Sequence, residues 1–246
     1  MKIAVPLCGS KTQNFINTTY IDYLIGAGLT PVFIPQNKFI EDLLKECDGL
    51  LLSGGIDIDP IYYGFNNIDS SGVSPTRDSF ERNLIEYFLK NDKKIFGICR
   101  GFQLICLELF ALGELKGEYI QDLKNHPTNT DVDRNIPIHF IFIDEKELYS
   151  SINNINFEKS DLTKIIFNFN NSCDKSHIKR IAVNSMHHQG FIIPKTYSDT
   201  KIIAIAPYDK NEFLVEAIKF KNILAVQWHP EELNDFPLIK NFFESK

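Results

Sequence analysis

Short apolar runs alternate with segments of helical period through the first hundred positions. Residues 2–6, 31–35, 49–53 and 94–98 are compact apolar runs of strand length. Between them, residues 18–27 set Ile21, Leu24 and Ile25 on one helical face. Phe39, Ile40, Leu43, Leu44 and Cys47 mark a second helix, and Phe80, Leu84, Ile85, Phe88 and Leu89 mark a third over residues 77–90. A fourth apolar segment, residues 102–110, follows the last of these strands. Alternation of this kind predicts a parallel sheet with helices on both faces. In such sheets chemistry gathers at the carboxyl ends of the strands.

After Asp122 the pattern changes. Residues 139–143, 180–183, 201–206, 213–220 and 223–228 read as strands joined by turns, and residues 237–243 as a closing helix. Residues 151–177 are polar, Asn-rich and weakly periodic, and strands resume beyond them, so they read as a surface excursion. The expectation is one α/β domain over residues 1–246, a mostly parallel central sheet between helical layers with additional C-terminal strands.

Composition narrows the classes of function. With 43% hydrophobic and 24% charged residues the chain fits an ordinary globular protein. A formal charge of −6 argues against a broadly basic surface, so no nucleic-acid partner is expected. No window approaches ~18 uninterrupted apolar residues, and the N-terminus lacks the apolar stretch of a signal peptide, so no membrane partner is expected either. The 5 cysteines, at positions 8, 47, 99, 106 and 173, form no CxxC pair. That is a poor basis for a disulfide framework or zinc finger, and it suits a reducing, cytoplasmic compartment.

One cysteine stands apart. Gly97-Ile98-Cys99-Arg100-Gly101 follows an apolar strand and precedes an apolar helix. This G-x-C-x-G pattern is the thiol form of a nucleophile elbow, a sharp strand-to-helix turn that exposes the reactive side chain. The helix N-terminus favours a thiolate, and the Arg100 amide points to where an oxyanion would form. A buried packing cysteine flanked by incidental glycines is the plainer reading of the same residues. A thiol nucleophile needs a base oriented by a third group. Residues 223–228 end in His229-Pro230-Glu231, which offers His229 as the base and Glu231 to hold its ring. A second oxyanion donor is available at Gly55, where Ser53-Gly54-Gly55 leaves a buried strand; alone, a Gly-Gly there is only a turn signal.

Five segments now stand in one order: Gly97–Gln103 with Cys99, Ser53–Pro60, Arg77–Glu81, Val183–Gln189 with His187 and His188, and Val226–Glu231. Together they resemble the class I (triad) glutamine amidotransferases. Within them the chain looks most like the stand-alone γ-glutamyl hydrolases of the peptidase C26 type, typified by the γ-glutamyl-γ-aminobutyrate hydrolases of putrescine breakdown. The match runs from about residue 2 to 243 and is weak over residues 151–177. The resemblance implies a flavodoxin-like core, a Cys99–His229–Glu231 triad and hydrolysis of a γ-glutamyl amide through a thioester on Cys99, with no cofactor. It further implies that Gln103, Asn184, Ser185, His187, His188 and Gln189 hold the glutamyl head group, and that Asp57, Asp59, Arg77, Asp78 and Glu81 shape the pocket rim. The same five residues also read as ordinary acidic turn and helix N-terminal positions. Adjacent histidines without a spaced third ligand argue against zinc, so no metal is expected.

Departures from the family pattern bear on the substrate. Ile56 stands where a third glycine is frequent, and the helix after the elbow lacks the usual Asn. Three functions follow: a stand-alone hydrolase of a small-amine γ-glutamyl amide or glutamine, a glutaminase subunit passing ammonia to a partner synthase, and an inactive binding relative. No fused synthase domain is expected, and the Arg77–Glu81 and Asn184–Gln189 motifs favour the first. The released amine and the oligomeric state, a homodimer included, are left open.

Overall fold

Three of the predicted strands end side by side, and that coincidence organises the molecule. A computed structural model of the chain describes residues 1–9, 12–36, 41–144, 178–197, 199 and 201–245. In chain order the first half comprises β1 (Lys2–Pro6), a two-residue ribbon of β2 (Cys8–Gly9) and β3 (Asn14–Phe15), α1 (Thr18–Gly26), β4 (Thr30–Ile34), α2 (Glu41–Lys45), β5 (Gly49–Leu52), a 3-10 turn (Pro60–Tyr63), α3 (Pro75–Lys90), β6 (Lys94–Ile98) and α4 (Arg100–Ala111). The second half adds β7 (Glu118–Ile120), β8 (His139–Asp144), β9 (Ile178–Val183), β10 (Gly190–Pro194), β11 (Ile202–Asp209), β12 (Glu212–Phe220), β13 (Ile223–Val226) and α5 (Phe236–Glu244).

The main sheet runs β4-β1-β5-β6-β13-β12-β11-β8-β9, with β10 joining β12 to β7. Pairing is parallel from β4 to β13 and antiparallel beyond it. The expected α/β architecture with added C-terminal strands is therefore present. Its register is what matters for chemistry. Leu52 lies beside Gly97, and Val226 beside Ile98, so the carboxyl ends of β5, β6 and β13 open onto one spot.

Each sheet face buries its own apolar cluster. On one, Phe80, Leu84 and Phe88 of α3 and Phe102 and Ile105 of α4 pack over Leu50, Leu52 and Ile95. On the other, Tyr20, Tyr23 and Leu24 of α1 and Leu238, Ile239 and Phe243 of α5 pack over Ile3, Val5 and Phe96. The α1 face departs from the sequence expectation: Ile25 is 59% exposed, and the two tyrosines take its place in the core. A tyrosine with a partnered hydroxyl buries as well as isoleucine does. Helix α3 begins two residues earlier than expected because Pro75 suits the first helical position and Ser74 caps it, accepting from the Arg77 N–H. Strands β7 and β10 were not expected. Phe39, Ile40, Cys173 and the whole 151–177 excursion lie outside the described residues.

Close approach explains the glycines of the elbow. A Cβ on Gly97 would come 2.7 Å from Ile105 Cδ1, and one on Gly101 would come 2.7 Å from Leu52 Cβ and 2.9 Å from the Leu52 carbonyl carbon. The start of α4 thus rests directly on β5. Gly101→Ala should destabilise the fold by about 1–3 kcal/mol through backbone overpacking. Urea denaturation checks this, and an unchanged midpoint would contradict the packing described.

Candidate active site

Cys99 takes the whole turn between β6 and α4. Its φ is 50° and ψ −102°, a conformation a non-glycine residue rarely adopts, and it caps the N-terminal end of a 12-residue helix. Both of its backbone groups are held: its N–H donates to Val226 O at 2.9 Å and its carbonyl accepts from Gln103 N–H at 2.9 Å. The side chain is buried, and the first-turn amides of α4, Arg100 N–H among them, have no intrahelical partner.

His229 arrives from the end of β13 and is fixed at both main-chain atoms by one side chain. Asn184 accepts from His229 N–H at 2.9 Å and donates to His229 O at 3.0 Å. The ring Nδ1 lies 2.6 Å from Glu231 Oε1. Nε2, the other ring nitrogen, has no partner of ordinary hydrogen-bond geometry among the described residues. Burial drives the imidazole toward its neutral form, but Glu231 and Cys99 override it and raise its pKa to about 10. Gly54 lies against the same group: a Cβ there would sit 3.0 Å from His229 Cε1 and 3.5 Å from Cys99 Cβ. The Tyr20 hydroxyl accepts from Gly54 N–H at 3.0 Å, and burial, with Glu231 and Cys99 nearby, holds the phenol well above its usual pKa. Tyr20 was not singled out from sequence.

A buried charge cluster supports both edges of this site. Arg77 donates to Gly54 O at 3.0 Å and to Ser53 O at 3.3 Å, and pairs with Glu81 at 2.7 Å. Arg100 pairs with the other Glu81 oxygen and with Asp78. Burial opposes the charge on Glu81, yet Arg100 and Arg77 hold its pKa below the ordinary value. Gly55 has φ 147°, and a Cβ there would collide with the Arg77 guanidinium. Arg77, Asp78 and Glu81 were expected at the pocket rim. They lie beneath it, at most 3% exposed, because their charges neutralise one another and Arg100.

The remaining expected residues divide. The Tyr119 hydroxyl lies 3.1 Å from Gln103 Oε1 and 2.8 Å from Gln189 Oε1, and Gln103 Nε2 donates to Gln189 O at 3.1 Å. Asp57 accepts from Ser71 N–H at 2.8 Å and lies 3.1 Å from His188 Nε2, while His188 Nδ1 lies 3.3 Å from Asp122. Gln189 also donates to Ser70 Oγ at 2.8 Å, so the 184–189 loop and the segment after Asp57 are tied together. Asn184 and Ser185, both fully buried, do not present free side chains: Asn184 clamps His229, and Ser185 lies 2.9 Å from His126. His187 also turns inward, with Nδ1 at 2.9 Å from Gln189 O and Nε2 at 3.1 Å from His126 Nε2. Burial lowers the pKa of His126 to about 3 and that of His187 well below its ordinary value, so both are neutral.

The profile of the peptidase C26 family matches residues 6–231. The chain belongs to this family. Among curated relatives it is 30% identical to a glutamine amidotransferase-like protein of Rickettsia prowazekii, covering 89% of this chain and 83% of that one. It is 26% identical to the γ-glutamyl-γ-aminobutyrate hydrolase PuuD of Escherichia coli K12, over 98% of this chain and 90% of the relative. A glutamine amidotransferase of Thermotoga maritima, at 13% identity, superposes with a TM-score of 0.54 over 99% of this chain and 98% of its own. That likeness shows the shared fold. The family membership makes the chain a glutamine amidotransferase-like hydrolase.

The His229–Glu231 pair carries a pH signature in this peptidase C26 member. His229 has a folded pKa of about 10, above its unfolded value near 6.5. Its contribution to stability is therefore complete below about pH 6.5 and is lost as pH rises through about 10. In denaturation series across that window, the advantage of the wild type over Glu231→Gln should narrow as pH rises. A constant advantage would contradict the pairing.

Proposed function

We propose that the chain is a stand-alone hydrolase that cleaves the γ-glutamyl amide of a small amine by way of a thioester on Cys99. The observation that carries the reading is the convergence of Glu231, His229 and Cys99: His229 Nδ1 lies 2.6 Å from Glu231 Oε1, Cys99 acts on the same imidazole, and a Cβ on Gly54 would meet both His229 Cε1 and Cys99 Cβ. A base oriented by a carboxylate and opposed to a strained thiol at a helix N-terminus is what acyl transfer to sulfur requires.

In this reading the Cys99 thiolate attacks the side-chain carbonyl of the glutamyl group, and the carbonyl π electrons move onto oxygen. Arg100 N–H and Gly55 N–H donate to that oxyanion. His229 gives its proton to the amine nitrogen as the carbon–nitrogen bond breaks, leaving the thioester and a free amine. Water then loses a proton to His229 and attacks the thioester, and glutamate departs as the thiolate re-forms. Glu231 keeps the ring oriented and stabilises its charged form throughout.

The ion cluster under the site supports the same reading. Arg77 fixes the carbonyls of Ser53 and Gly54 and so the backbone that presents Gly55, while Asp78 and Glu81 fix Arg100. We assign these three as positioning residues and Gln103, Gln189 and Tyr119 as the polar group nearest to a glutamyl head. Relatives named as γ-glutamyl-γ-aminobutyrate hydrolases favour a small-amine amide over ammonia transfer to a synthase.

Purified chain, assayed alone against a panel of γ-glutamyl amides and glutamine, tests the reading. At least one small-amine amide should be turned over, with kcat/KM above that for glutamine. Cys99→Ala should lower kcat by at least ~10³-fold at unchanged Tm within a few degrees. Turnover that appears only with a second protein added, or survival of activity in Cys99→Ala, would contradict it.

A further inference from the structure

Three chain segments, the 184–189 loop among them, bring histidines and a glutamate together. His126 lies between β7 and β8, His187 in the loop between β9 and β10, and Glu216 in the middle of β12. One ligand atom from each lies within 4.8 Å of the others. His139, the first residue of β8, completes the wall, its Nε2 3.6 Å from Glu216 Oε1 and its ring 5.1 Å from that of His126. The adjacent pair His187-His188 was read from sequence as lacking a spaced third ligand. The fold supplies the missing ligands from His126 and Glu216, while His188 points elsewhere, to Asp57 and Asp122.

Two independent features mark this cluster as built to receive something. Glu216 is fully buried, yet among the described residues neither carboxylate oxygen has a hydrogen-bond partner, and the buried His139 Nε2 lacks one as well. Orphaned buried carboxylate oxygens are costly and call for a partner. The second is orientation. His187 Nδ1 sits against the Gln189 carbonyl at 2.9 Å, which fixes the proton on Nδ1 and turns the Nε2 lone pair toward His126 and Glu216. A backbone carbonyl behind an imidazole in this manner is how proteins orient metal-ligating histidines. The two Nε2 atoms are 3.1 Å apart, against edges of about 3.3 Å expected for nitrogen ligands around tetrahedral zinc.

We propose that His126, His187 and Glu216 form a binding site for a divalent transition-metal ion, with Zn²⁺ the best match. Two neutral imidazoles and a carboxylate are a borderline donor set that suits zinc over calcium or magnesium, which prefer oxygen shells. Three protein ligands leave one coordination position for a water, and none of the three belongs to the proposed triad. The effect of the metal would be to staple the 184–189 loop to β12 and to the segment after β7. That loop carries Asn184, which holds both backbone atoms of His229. The metal would thus act on stability and on the placement of His229, with no part in the bond-breaking steps.

The test loads the full chain with Zn²⁺, dialyses it and measures bound metal by mass spectrometry of the elements. About one equivalent per chain should be retained, and Tm should rise by roughly 5–10 °C over chelator-treated protein. Co²⁺ in place of Zn²⁺ should give the intense visible bands of a tetrahedral site without a thiolate charge-transfer band in the near ultraviolet. That absence separates this site from the cysteines. His126→Gln and Glu216→Gln, checked for native circular dichroism, should each lose the retained metal and the Tm rise. Should either variant misfold, wild-type stoichiometry and the Co²⁺ spectrum decide alone. Failure to retain either ion, a thiolate band, or equal retention in folded variants would overturn the proposal. The last outcome would leave the cluster as neutral imidazoles beside a protonated Glu216.

Discussion

The strand-to-helix reversal at Cys99, accomplished in one residue, is the constraint around which the rest of the site is arranged. Strand β6 lies in the middle of a parallel sheet, and α4 must fold back over the same sheet without a loop between them. Cys99 meets that demand by adopting φ 50°. The conformation costs on the order of 1–3 kcal/mol, so it persists only where the surroundings enforce it. They do so on every side. Val226 and Gln103 hold its backbone, Gly97 and Gly101 let α4 and β5 approach to contact, and the Arg100 side chain next to it is locked in ion pairs.

Those ion pairs explain why so much charge lies inside the protein. Arg77, Asp78, Glu81 and Arg100 are all at most 3% exposed. Buried pairs of this kind add little net stability, but removal of one partner typically costs about 3–5 kcal/mol. Their value lies in specification. Arg77 reaches the carbonyls at the end of β5, Arg100 begins α4, and Glu81 bridges the two guanidiniums from the adjoining helix. The backbone on either side of Cys99 is thereby set by a single turn of α3. Asn184 serves the third strand in the same fashion, holding His229 by its main chain.

What sequence could reveal follows from distance along the chain. The elbow was legible because strand, glycines, cysteine and helix occupy consecutive positions, and His229 with Glu231 because they flank one proline at a strand end. Tyr20 was not: a tyrosine in an amphipathic helix looks like any half-buried aromatic, and its bond to Gly54 crosses 34 positions. The same amphipathic character hid the buried face of α1, where apolar spacing pointed to Ile25. Arg77 and Glu81 were expected at the rim from the family resemblance, and their burial was not legible because Arg100, which pairs with Glu81, belongs to another helix. The histidine–glutamate cluster was invisible for the same reason, its members separated by 61 positions in one case and its carboxylate placed in a strand of apolar neighbours.

The central claim is that the strained thiol becomes acylated. Wild-type protein mixed with a γ-glutamyl amide that it hydrolyses, quenched in acid within the first turnover and examined as intact protein and as peptides, gives the direct reading. The account predicts a mass gain of one γ-glutamyl group, confined to the peptide containing Cys99, labile to hydroxylamine and absent from Cys99→Ala. A burst of free amine with no adduct on Cys99, or an adduct on another residue, would contradict it.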